Sequence, residues 1–209
     1  MRQDSYIQQI YERICDAKPQ TAFVILDFCD LTDYDTAKKS LLRLEEKGKI
    51  QRIIRGVYYN PRFSQLLQEY EAPSVDEVAK ALARNYNWTI APSGNAALNQ
   101  LGLSTQVPAK WIYISDGPYK KYKIGNQELE FKHRNNKEIS GMSEKTNLVI
   151  QALKAMGEMQ IDDCVIKKLR KQLSDLEKEK LMLETRQTTV WLQPIIKQIA
   201  REDHSVCTR

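Results

Sequence analysis

The sequence predicts an α+β fold, and three observations carry that prediction. Apolar residues recur at helical spacing through the first 47 positions, then give way to two β-rich runs split by Arg55-Gly56. Three more β-rich runs, Trp111–Ser115, Lys121–Ile124 and Gln127–His133, are separated by Asp116-Gly117 and Gly125-Asn126, which suits a small antiparallel meander. From Ile161 to Ala200 the pattern is helical, without the sustained heptads of a coiled coil.

In chain order, Ser5 with Gln8 resembles a capping box, and Ile7, Ile10, Tyr11 and Ile14 then share one helix face until Lys18-Pro19-Gln20. Thr21 is placed to cap a short second helix, Ala22 to Phe28, with Phe23, Leu26 and Phe28 as its apolar residues. Asp33 caps a third helix from Tyr34 to about Lys47, and Gly48 supplies its left-handed stop. The runs 49–54 and 57–59 form a hairpin, and Asn60-Pro61 closes the unit. Helix, helix, turn, helix, hairpin is the order of a winged helix-turn-helix, expected over residues 1–62.

Residues 63–209 are expected to form a C-terminal α/β domain with a small antiparallel sheet and terminal helices, joined without a Gly/Ser linker. Phe63 to Tyr70 reads as a connecting helix, and Ser74 with Glu77 opens another, running to about Asn85. Trp88 to Ala91 suits a short strand, Asn95 to Leu101 a helix ended by Gly102, and Ser143 to Met156 a helix ended by Gly157. Ser174 and Glu177 give a further capping box.

Hydrophobic residues make up 42% of the 209 and charged residues 28%, enough apolar content for a packed core. No run approaches a membrane span, and the N-terminus lacks a signal-peptide core, so a cytoplasmic protein is expected. Cys15, Cys29, Cys164 and Cys207 are far apart and the two histidines, His133 and His204, lack metal-ligand spacing; no metal and no cofactor is expected. No nucleophile–base pair or carboxylate dyad stands out, so the sequence is read as non-enzymatic.

The formal net charge is +5, and the 29 residues from Tyr34 to Arg62, with eight basic and three acidic side chains, account for all of it. At about 100° per residue, Ala37, Leu41 and Leu44 face the core, while Thr36, Lys39 and Arg43 lie opposite and Ser40 sits at the edge. A helix in the major groove reads bases from its N-terminal half. Thr36 and Lys39 are placed for that, Asp35 to accept from a cytosine amino group, and Lys38, Arg43 and Lys47 to hold phosphates. Arg52 and Arg55 flank the hairpin turn, where a guanidinium can meet the backbone or a narrow minor groove. Double-stranded DNA is the expected partner. A protein-interaction module using the same fold, or a stand-alone regulator, is the alternative.

Phe28-Cys29-Asp30-Leu31, Ala37 through Leu44, Gly48-Lys49-Ile50 and Arg55-Gly56-Val57-Tyr58 resemble the winged helix of AbiEi-type antitoxins. Ala91 to Pro108, Trp111 to Gly117 and Ile150-Gln151-Ala152-Leu153 are similar to a related subfamily, so the resemblance spans about residues 5 to 160. It implies a DNA-binding autorepressor and antitoxin of a bacterial type IV toxin–antitoxin (abortive infection) system. It implies binding at inverted repeats in the promoter of its own operon, and a nucleotidyltransferase-like toxin as functional partner, with no stable complex required. Within the Pro92 to Pro108 stretch, Asn95, Asn99, Thr105 and Gln106 are the polar candidates for a partner surface. Ser93-Gly94 is read as helix capping and tight packing.

Overall fold

The computed structural model describes residues 2–66, 68–134, 141–186 and 188–201, and His204 and Cys207 lie outside them. The protein is α+β. Its α-helices are α1 (Arg2–Asp16), α2 (Tyr34–Glu46), α3 (Val75–Tyr86), α4 (Asn95–Gln100), α5 (Glu144–Met156), α6 (Asp163–Gln172), α7 (Asp175–Glu184) and α8 (Leu192–Ala200). Its strands are β1 (Ala22–Val24), β2 (Gln51–Ile54), β3 (Val57–Tyr59), β4 (Arg62–Ser64), β5 (Glu69–Glu71), β6 (Ile90–Ser93), β7 (Lys110–Ser115), β8 (Lys120–Ile124) and β9 (Gln127–His133). Two compact units form: residues 1–90 with 119–130, and residues 91–118 with 131–209.

The first unit is organised around a three-stranded antiparallel sheet in the order β1-β3-β2. Ala22 to Val24 is therefore a strand, not the start of the expected second helix. Its backbone groups pair with Tyr59, Tyr58 and Val57, and only Ile25–Phe28 turns, as one 3-10 helix. Thr21 does not cap it, since its hydroxyl donates to the Lys18 carbonyl at 2.8 Å. Ser5 likewise lies inside α1 rather than at its cap, because the helix begins at Arg2. Ile10 and Ile14 of α1, Phe28, and Ala37, Leu41 and Leu44 of α2 are buried together with Ile50. This is the helical stripe the sequence shows.

The expected connecting helix at 63–70 is instead the hairpin β4–β5, in which Phe63 opposes Tyr70 edge-on with ring centroids 5.3 Å apart. Cross-strand aromatic pairing stabilises such a ribbon where a lone short helix has no buried face. Arg62 at its start donates to the carbonyls of Cys15 and Ala17, at 2.7 and 3.1 Å, placing a cation on the open C-terminal end of α1. The compact division also differs from the sequence boundary at residue 62. Ser74 caps α3, whose buried face of Val75, Val78, Ala79 and Leu82 packs on β1. Arg84 at its far end donates to the Ala22 carbonyl at 2.9 Å and to both Asp27 oxygens at 3.1 Å. Replacing Arg84 by Ala is expected to lower the unfolding free energy by about 1 kcal/mol, the partial exposure of the pair screening the rest. A urea melt at constant m-value measures it.

In the second unit α4 to α8 share one core that includes Ala97, Leu101, Ile150, Leu153, Leu169 and Ile196. Ser143 caps α5, and Ser174 closes a capping box with Glu177, the latter as the sequence indicates. Ser143 is itself held by Glu184, which accepts from its amide at 2.8 Å and its hydroxyl at 2.9 Å. Strands β6, β7, β9 and β8 lie in that order in a third sheet, so the last three strands are not a simple meander. The outer strand β8 leads into the tight turn at Gly125, whose φ is +56°, and β9 follows it.

Candidate nucleic-acid interface

The site is built in the first unit, on α2. Asp33 caps this helix by accepting from the Thr36 amide at 2.9 Å, and that bond holds the Asp33 carboxyl below its ordinary range. At the other end Gly48, with φ +66°, donates to the Glu45 carbonyl and lets Lys49 donate to the Leu44 carbonyl, both at 2.9 Å. That is a Schellman stop. With both ends fixed and Ala37, Leu41 and Leu44 buried, the rotation of the helix is set, and so is the direction of every other side chain.

Two parallel ridges spaced by four residues result. Lys39, Arg43 and Lys47 form one, all exposed, with exposed Asp35 and half-buried Thr36 beside it. Tyr34, Lys38 and Leu42 form the other. Ser40 does not belong to either. It is 3% exposed, and its hydroxyl donates back to the Thr36 carbonyl at 2.8 Å, so it faces inward and is removed from the candidate DNA ligands.

The β2–β3 hairpin stands beside the second ridge. A register shift between Arg52 and Ile54 twists it, and Gly56, at φ +82°, makes the turn that leaves Arg55 exposed. Arg52 is partly neutralised by Glu45, with Nε to Oε1 at 3.1 Å. Arg55 and Lys38 make no ion pair among the described residues.

The second ridge and the hairpin form one wall of a cleft of about 500 Å³. Asn85 and Tyr86 from the end of α3, and Lys120, Lys121 and Tyr122 of β8, also line it. Among the described residues the lining contains five cations, four tyrosines and no carboxylate. Tyr86 stacks on Trp88, with centroids 4.6 Å apart and planes 21° from parallel, and the Lys120 ammonium lies 4.1 Å from the Tyr86 centroid. Lys121 reaches Glu128 at 3.8 Å. Burial, and then the neighbouring Tyr86, raise the Tyr122 phenol further above its ordinary range.

Sequence reasoning thus names Lys38, Arg52 and Arg55 in this cleft but passes over Tyr34, Tyr86, Lys120 and Tyr122. The signal was present. Tyr119-Lys120-Lys121-Tyr122-Lys123 interleaves aromatic and basic residues along one strand, the composition of a nucleic-acid surface.

In the second unit Asn95, Thr105 and Gln106 are exposed, and Asn99 is half-buried. The Asn99 amide donates to the Gln106 carbonyl at 3.0 Å, so it pins the loop after α4. Gly94 begins α4 without a side-chain cap, and nothing lies within 4 Å of where a Cβ would stand. Its φ of +59°, not close packing or capping, is what calls for glycine there. Among the described residues no three His, Cys, Asp or Glu side chains converge as a metal site, and no helix is long and apolar enough to cross a membrane.

A comparison with curated proteins finds no match. Among solved structures the chain is similar to the RV2827C protein from Mycobacterium tuberculosis, at 11% identity and a TM-score of 0.43, over 94% of this chain and 76% of that one. Residues 9–181 match the model of a family of unknown function, DUF6088, which takes in both units described above. The chain belongs to that family.

Proposed function

We propose that residues 1–62 are a winged helix-turn-helix that binds double-stranded DNA, with α2 as recognition helix and the β2–β3 turn as wing. The observation that carries the reading is the exposed ridge Lys39, Arg43 and Lys47, opposite the buried stripe of a helix whose ends are both fixed. The sheet order β1-β3-β2 around that helix supports it, since a strand before the recognition helix then buttresses the wing. On this reading Lys39 and Thr36 reach base edges, Asp35 accepts from cytosine, and Lys38, Arg43, Lys47, Arg52 and Arg55 meet phosphates. The wider proposal is a cytoplasmic autorepressor and antitoxin of a type IV toxin–antitoxin system, supported by the resemblance of residues 91–117 to AbiEi-related proteins. A nucleotidyltransferase-like toxin is then its functional partner.

The test is a gel-shift with the duplex upstream of its own gene. Lys39→Ala is expected to cost about 1–3 kcal/mol at the cognate site and less elsewhere, as a base contact does. Arg55→Ala is expected to weaken all sequences alike and to reduce the slope of log K against log salt by about one. A protein that leaves duplexes unshifted at low salt overturns the reading.

A further inference from the structure

The cleft beside the recognition ridge has a chemistry that duplex DNA does not need. A duplex presents phosphate and sugar along its backbone, with base faces hidden in the stack, so cations suffice to hold it. Here Tyr34 and Tyr86, 47% and 43% exposed, stand in the same concave wall as Lys38, Arg55 and Lys120. Half-exposed rings beside cations, with no carboxylate among the described lining residues, are arranged for a ligand that is both anionic and flat. The volume of about 500 Å³ falls within the range of small-ligand sites and is far too small to admit a duplex.

We propose that this cleft binds an unstacked nucleotide of single-stranded nucleic acid, its phosphate between Lys38, Arg55 and Lys120 and its base against the Tyr86 ring. Aromatic side chains stack on any base, so the site discriminates strand state more than sequence. Lys120 already lies over Tyr86, and its ammonium stays 5.3 Å from the Trp88 centroid, so ring and cation are held together before the ligand arrives. Lys38 and Arg55 are shared with the duplex surface, whereas Tyr86 and Lys120 are not. The site therefore stands whether or not the duplex reading does.

The experiment is fluorescence anisotropy of the full chain with a labelled single strand of about 12 nucleotides, at about 50 mM salt. Tyr86→Leu is expected to weaken the strand about tenfold, because a stacked base is lost while an apolar side chain of similar bulk remains. Lys120→Gln is expected to weaken it and to reduce the salt slope by about 0.7, the single-strand value for one phosphate. Both variants are expected to leave the duplex gel-shift unchanged, and Lys39→Ala to leave strand affinity unchanged. Competition by a nucleoside monophosphate at affinity equal to the strand would identify free nucleotide as the source of the same chemistry. No strand binding by the wild type, or equal binding by Tyr86→Leu and Lys120→Gln, overturns the proposal. Loss of duplex binding alone overturns only the winged-helix reading.

Discussion

The double substitution Lys39→Glu with Arg43→Glu is expected to abolish specific duplex binding, lowering affinity at least about 100-fold at low salt. Both side chains are exposed and one helical turn apart, on the ridge opposite Ala37, Leu41 and Leu44. Reversal removes two attractions and places two carboxylates against a polyanion, which costs more than neutralisation by alanine. The fold should hardly respond. Glutamate is a good helix former, and the new like-charge pairs, Asp35 with residue 39 and residue 43 with Glu46, cost about 0.2–0.5 kcal/mol each, while positions 39 and 43 stay like-charged as in the wild type. The measurement is a gel-shift titration beside a thermal melt. Wild-type affinity in a folded double variant would place the DNA surface elsewhere or nowhere.

The exposed basic ridge of α2 is legible in the sequence because local signals specify it twice. Asp33 and Gly48 mark the ends of α2, and Ala37, Leu41 and Leu44 mark its inner face, so the outer face follows by geometry. Ser40 is buried rather than at the edge because about 60° from the stripe centre is still inside a helix that packs on both α1 and the Ile25–Phe28 turn. The failures elsewhere share one cause. Ala22 to Val24 and Phe63 to Tyr70 take their structure from partners distant in sequence, Val57 to Tyr59 for the first and the returning strand Glu69–Glu71 for the second. Short runs carry too little periodicity to announce such pairing. For the far wall of the cleft the basic and aromatic run of β8 is legible, but the partners it meets are not. Nothing local indicates that Tyr86 and Lys120, 34 positions apart in the chain, stand 4.1 Å from ring centroid to ammonium.

Phe28→Ala is expected to destabilise the protein by about 3–5 kcal/mol, whereas Leu26→Ala, two residues away, should cost less than about 0.5 kcal/mol. The pair separates two conformations of one segment. An α-helix from Ala22 to Phe28 would bring Phe23 and Leu26 to one buried face and turn Phe28 about 140° away from Phe23. A strand followed by a single 3-10 turn does the reverse. Phe28 is fully buried, 5.8 Å centroid to centroid from Phe23, among Ile10, Ile14 and Leu41, while Leu26 is 45% exposed. Removing the Phe28 ring leaves a cavity at the junction of α1 and α2, which a close-packed core fills only in part. Since domains are stable by about 5–15 kcal/mol, a loss of this size shifts the urea midpoint by a large fraction of its value. Duplex binding by Phe28→Ala should then fall in proportion to the folded fraction, with the salt slope unchanged, because no phosphate contact has been touched. Equal costs at the two positions, or a larger one at Leu26, would restore the helix and remove the β1 strand on which the wing reading leans.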